Sequence, residues 1–177
     1  CEFASIFLGL GARVTQIYRG EQILRGFDDE IRHFLADELR KKGLDLRLQT
    51  GVVAVQRQDD GLHVRLEDGT TVVGDAVLYA TGRVPNVAGL GRERLGVAQG
   101  AQGAIVVDEH FRTNVPSVYA VGDVVARAQL TPVALAQAMA VVDHLFGPPA
   151  GAAPRQAHED LIPTAVFTLP SVGTVGL

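Results

Sequence analysis

Asp123 ends a short apolar run, Val118-Tyr119-Ala120-Val121-Gly122-Asp123, and Thr131-Pro132 opens a helical pattern further along. A strand that stops at a glycine and presents one carboxylate suits a ligand rich in hydroxyls, because the carboxylate accepts their hydrogen bonds. The helix start beyond it offers unpaired N–H groups and partial positive charge to an anionic group. A flavin on its ribityl chain has both features. The plainer reading of Asp123 is an Asx turn or a helix cap. Thr131-Pro132 also reads simply as a cap followed by proline at the first helical position.

A second candidate group lies near the N-terminus. Residues 13–18 read as a strand, and Arg19 and Arg25 follow its end. In dinucleotide folds an acidic residue near this strand end binds the ribose 2′-hydroxyl, whereas arginine accommodates a 2′-phosphate through charge-assisted forks. Glu21, the nearest acid, lies past the strand end. On the residues alone, two solvated loop arginines is the stronger reading of this pair.

These residues depend on alternating helices and strands to place them. Phe3, Ile6, Phe7 and Leu10 recur at helical spacing over residues 2–10, with Gly11 as terminator. A further helix starts at Phe27-Asp28-Asp29-Glu30, with Ile31, Phe34, Leu35 and Leu39 as its buried stripe and Gly43 at its close. The basic run Arg40-Lys41-Lys42 ends this helix, where it complements the dipole. Residues 46–48 and 52–55 are strand-like. Turns at Asp59-Asp60-Gly61 and Asp68-Gly69 then separate strands at 62–66 and 71–73, an antiparallel meander with one wet face. Residues 76–80 are apolar enough for a buried parallel strand. Strands are expected at 105–107, 118–121 and 164–168, and a helix at 132–146 with Thr131 as cap and Gly147 beyond it. Residues 147–154, rich in Gly, Pro and Ala, read as a linker.

The fold class that emerges is α/β: a partial dinucleotide-binding, Rossmann-like domain with an inserted antiparallel β-meander. Its first strand and glycine-rich phosphate turn are expected just before Cys1.

Composition narrows the function. Of 177 residues, 47% are apolar and 20% charged, which is globular rather than disordered. The net charge of −4 offers no basic stripe for a nucleic-acid partner. No apolar stretch is long enough for a membrane span. The one cysteine, Cys1, excludes an internal disulfide and argues against a Cys-based metal site. It reads as a packing residue, and a reducing cytoplasm fits. His33, His63, His110, His144 and His158 share no constellation, so no catalytic or metal-binding role is assigned to them.

Six segments in this order and spacing, at residues 1–7, 23–28, 80–86, 118–123, 130–134 and 162–167, resemble the pyridine nucleotide–disulfide oxidoreductases over essentially the whole chain. The resemblance implies FAD and NADP(H) as cofactors, a disulfide substrate with glutathione disulfide foremost, and a homodimeric full-length protein. Trypanothione, mercuric and dihydrolipoyl reductases are the neighbouring alternatives. A nucleotide-binding module without a redox centre is the alternative from another class. The chain is then an internal segment, with an incomplete NADPH-binding domain at 1–85. The returning part of the FAD-binding domain follows at 86–150, and the linker and start of a dimerisation domain at 151–177.

By the same resemblance, Arg19 and Arg25 match the family's phosphate-binding arginines, which favours NADPH over NADH. Glu2 approaches the nicotinamide carboxamide, although a surface helix glutamate is as good a reading. Gly82 lies where backbone meets the nicotinamide half, against a plain turn glycine. Gln129 and Ala165 fall near the same cofactor. Asp123 reaches the ribityl or pyrophosphate side of FAD, and Thr131 faces its pyrimidine ring. The redox cysteine pair and the His–Glu proton donors that the resemblance implies do not lie among these residues. The chain alone is therefore expected not to turn over glutathione disulfide, and to fold poorly without its central strand.

Overall fold

The computed structural model describes residues 1–156 and 161–176. They form two compact units: residues 1–79 with 163–176, and residues 80–156 with 161–162.

The first unit opens with helix α1 (Glu2–Gly9), strand β1 (Thr15–Ile17), helix α2 (Asp29–Lys41) and strand β2 (Asp45–Arg47). β1 and β2 pair in parallel with Gln16 opposite Leu46, so β1–α2–β2 is a helical crossover between parallel strands. α2 starts where the acidic run predicts. Asp28 Oδ1 accepts the N–H groups of Glu30 at 3.0 Å and Ile31 at 3.2 Å. Asp29 and Glu30 in the first turn, with Arg40 and Lys41 in the last, complement the helix dipole. Ile23, Leu35, Ala36, Leu39, Leu44 and Leu46 form the core of this unit.

The expected stripe on α2 needs correction at two positions. Leu35 and Leu39 are fully buried, but Ile31 and Phe34 remain 40% and 58% exposed. The core formed with Ile23, Leu44 and Leu46 takes in only the Leu35, Ala36 and Leu39 strip of α2, so the wider apolar face is left partly open.

The meander follows as β3 (Val52–Gln58), β4 (Gly61–Leu66) and β5 (Thr71–Gly74), an antiparallel sheet in that order. His63 stands opposite both Gln56 and Val73, and Val64 and Leu66 are buried. β6 (Thr164–Val166) and β7 (Val172–Thr174) complete the unit as an antiparallel pair.

The expected strand at 76–80 does not form, and Leu78 and Tyr79 are exposed. An apolar run becomes a strand only where another segment supplies N–H and C=O partners, and among the described residues none lies beside it.

The second unit contains helix α3 (Arg92–Leu95), short 3-10 turns at Ala101–Gly103 and Gly122–Val125, and helix α4 (Thr131–Phe146). Val87, Ile105, Ala120 and Val125 are its core. The strands expected at 105–107 and 118–121 are reduced to single bridges, Gln99 with Ile105 and Arg112 with Tyr119. Ile105 and Ala120 are buried, but Val106 is exposed, and among the described residues no segment runs beside either for a full ladder.

Thr131 is not the cap of α4. Leu130 takes the extended cap conformation, and Ala134 N–H donates to its carbonyl at 3.0 Å, which places Thr131 and Pro132 inside the first turn. Among the described residues, no helix is long and apolar enough to cross a membrane, and no group of three or more His, Cys, Asp or Glu is arranged to hold a metal ion.

Candidate cofactor-binding sites

In the second unit the candidate residues gather around the Gly122–Val125 turn. Gly122 has φ +72°, and a Cβ there would meet the Ala134 Cβ at 3.1 Å, so the turn sits hard against the start of α4. Gly122 N–H donates to the buried Gln137 Oε1 at 2.6 Å, which ties the turn to the helix a second time. Asp123 follows, with its carboxylate half-exposed and its Oδ2 accepting from Arg83 Nη2 at 3.2 Å. Arg83 comes from the Ala80–Asn86 segment, so the two motifs separated in sequence meet through this ion pair.

Gly82 lies beside Arg83 at φ +121°, and nothing stands within 4 Å of where its Cβ would be. Its requirement is the backbone conformation and not lack of space within the chain. Gln129 and Thr131 are exposed at the entrance of α4, a helix of 16 residues with no side chain capping its first turn. Proline at 132 has no N–H, so Thr131 and Val133 carry the first-turn N–H groups that lack intrahelical acceptors.

These features fit FAD. A half-exposed carboxylate suits sugar hydroxyls, and an uncapped helix start suits negative charge. Arg83 and Gln137 complete the arrangement, and no role is assigned to either from sequence alone. The lone amide of Gln137 in the apolar run of α4 is the signal that marks it, since such a group is buried only with a partner.

In the first unit Glu2 is the opening residue of α1, and its Oε1 accepts the N–H of Phe167 at 2.9 Å. That contact brings α1 to the end of β6, two residues beyond the exposed Ala165. Arg19 and Arg25 are exposed on the loop between β1 and α2. Among the described residues neither guanidinium has a hydrogen-bond or ion-pair partner, as expected of cations reserved for an external anion or for solvent.

The loop itself is well anchored. Ile23 is buried in the core, Gln22 is buried beside it, and Gln22 Oε1 accepts Ile23 N–H at 3.0 Å. Tyr18 N–H donates to Arg47 O at 2.9 Å, and Gln49 N–H to Gly20 O at 3.1 Å, which extends the β1–β2 pairing into the loop start.

Cys1 is half-buried against the first core, with its Sγ accepting Gln16 Nε2 at 3.4 Å. The expectation that the histidines share nothing fails for one pair. His110 and His144 stack at 4.4 Å between ring centroids, with Tyr119 at 6.2 Å from His144. The folded chain alone brings positions so far apart in sequence together. His63 pairs with Asp60 at 2.7 Å, His33 bonds the Asp29 carbonyl, and His158 lies outside the described residues.

With this geometry in view, comparison with known proteins defines the class. The family described as pyridine nucleotide-disulphide oxidoreductase matches residues 1–138. The chain is 52% identical to a glutathione reductase of Burkholderia cepacia over all 177 residues, which span 38% of that protein. It is 41% identical to a trypanothione reductase of Trypanosoma congolense, covering 99% of this chain and 36% of that protein. Among solved structures, a HOCl-induced flavoprotein disulfide reductase of Escherichia coli superposes with a TM-score of 0.89 at 31% identity. That match covers 99% of this chain and 39% of the other.

The chain therefore belongs to the pyridine nucleotide-disulphide oxidoreductase family, whose glutathione reductase and flavoprotein disulfide reductase members use FAD and NADPH. It spans about two-fifths of the length of the curated relatives it matches.

Proposed function

We propose that this chain is part of an NADPH-dependent flavoprotein that reduces glutathione disulfide, and that it supplies part of each cofactor site. Overall, NADPH, a proton and glutathione disulfide give NADP⁺ and two glutathione thiols. FAD, when bound, supplies the two-electron redox step between the nicotinamide and a disulfide.

The residues here bind and orient. Arg19 and Arg25 hold the 2′-phosphate of the coenzyme. Glu2 accepts from the carboxamide N–H through the oxygen that Phe167 leaves open, with Ala165 near it; Gly82 takes its coenzyme role from the family resemblance alone. Asp123 accepts from the ribityl hydroxyls, and the uncapped start of α4 with Gln129 and Thr131 stabilises negative charge on the flavin ring. Residues 1–85 serve the NADPH domain, 86–150 the FAD domain, and 151–177 the approach to a dimer interface. The full-length protein is then a cytoplasmic homodimer. Its cysteine pair and proton donors lie elsewhere in its sequence, so the isolated chain is inactive.

The observation that carries this reading is the pair of unpartnered arginines after the second strand of a nucleotide fold, together with the 52% identity to a glutathione reductase. The test is steady-state kinetics of the whole protein. NADPH oxidation should be faster with glutathione disulfide than with trypanothione disulfide or lipoamide. Arg25→Ala should raise KM for NADPH about tenfold or more, since a charge-assisted hydrogen bond contributes roughly 1.5–3 kcal/mol. KM for NADH should barely move. Equal losses with both coenzymes, or a preference for another disulfide, would refute the reading.

A further inference from the structure

Arg32 is not among the residues proposed above to hold the coenzyme. It sits on the first turns of α2 with its side chain only 18% exposed, and its guanidinium faces back into the β1–α2 loop. Nε donates to Ile23 O at 2.8 Å, Nη2 to Gln22 O at 3.0 Å and Nη1 to Asp29 Oδ1 at 2.6 Å. One planar group thus bridges two consecutive loop carbonyls and the first residue of the helix.

The consequence falls on the next three residues. Leu24 has φ +52°, a left-handed conformation that costs a non-glycine residue energy and persists only where the surroundings enforce it. Phe27 N–H donates to Leu24 O at 3.1 Å, closing a tight turn with Arg25 at its second position. The carbonyl held by Arg32 Nε belongs to Ile23, the residue directly before that turn.

We infer that Arg32 is a positioning residue for coenzyme selection: its fork fixes the Gln22 and Ile23 carbonyls and so pre-sets the turn that presents Arg25 to the 2′-phosphate. This rests on the proposed role of Arg19 and Arg25. The 2′-phosphate is the group by which NADP⁺ differs from NAD⁺, so loosening the turn affects one coenzyme and spares the other. Lysine cannot replace the fork, because a point-like ammonium cannot span both carbonyls and the Asp29 carboxylate at once.

The test compares R32K, R25A and the double variant in the whole protein, by calorimetric titration with NADP⁺ and NAD⁺ and by steady-state kinetics. R32K should raise the NADP⁺ dissociation constant about fivefold, leave NAD⁺ within about twofold, and leave kcat at saturating NADPH unchanged. In the R25A background the same change should add little, because both act through one contact. If R32K leaves NADP⁺ affinity unchanged, weakens both coenzymes equally, or adds fully to R25A, the inference is overturned.

If R25A itself does not lower NADP⁺ affinity, the underlying reading fails instead. Should R32K not fold, D29A is read in its place, since it removes one anchor of the fork. It should weaken NADP⁺ about twofold to threefold with NAD⁺ unaffected, and unchanged discrimination overturns the inference.

Discussion

Gly122 and Gln137 are joined by a 2.6 Å hydrogen bond from a buried main-chain N–H to a buried side-chain carbonyl. The bond crosses from the turn that carries Asp123 to the second turn of α4, the two elements that shape the candidate FAD contact. Replacing Gln137 with leucine keeps the volume near constant but leaves that N–H buried without an acceptor, a loss of about 1–3 kcal/mol. Thermal unfolding of the whole protein should show the variant melting lower and retaining less flavin on dialysis. An unchanged melting temperature would show that the turn finds another acceptor.

Asp28 caps α2 through two N–H contacts, and the residue just before it ends the Arg25 turn. Asp28→Ala should cost about 1 kcal/mol of stability, the usual worth of an N-cap. Chemical denaturation measures it directly.

Asp143 offers the clearest pH dependence. Its carboxylate is almost wholly buried and accepts Arg155 N–H at 2.9 Å, Nε at 2.8 Å and Nη2 at 2.5 Å. The Arg155 side chain, then its main-chain N–H, holds the Asp143 carboxyl down from the ordinary 3.8 to about 2. A carboxyl depressed in the folded state stabilises that state above its unfolded value, and the contribution is lost as pH falls through the folded value. Arg155→Met should therefore destabilise by a constant amount across neutral pH. The gap to the parent protein should close as pH drops from about 4 towards 2. Urea midpoints across that range test this, and a gap that widens on acidification would contradict it.

The isolated chain should not melt cooperatively. Phe3, Ile6, Phe7 and Leu10 leave a face of α1 exposed, and the apolar residues Leu78 and Tyr79 have no ladder partner among the described residues. Apolar dye should bind strongly and near-ultraviolet circular dichroism should be weak. A sharp thermal transition without dye binding would contradict the expectation.

Elements whose signals are local were legible without the fold. α2 follows from its acidic cap and basic end, the meander from its Asp-Gly turns and alternation, and the β1–α2–β2 crossover from their succession, since each depends on neighbours a few residues away. Arg19, Arg25 and Asp123 can be singled out by a local pattern, a strand end followed by a suitable charge, while their binding roles are proposals.

Tertiary structure alone decided what depends on partners distant in the chain. Residues 76–80 carry strand chemistry but form no strand, because hydrogen-bond ladders need a second segment in register. Ile31 and Phe34 carry core chemistry but stay exposed, because burial needs a surface wide enough to cover them. The meeting of Arg83 with Asp123, of Glu2 with Phe167, of His110 with His144, and of Arg32 with two loop carbonyls has no signature in spacing. Propensity and capping act over one or two turns of chain, whereas a salt bridge or a buried acceptor is chosen by which surfaces the whole fold brings within about 3 Å.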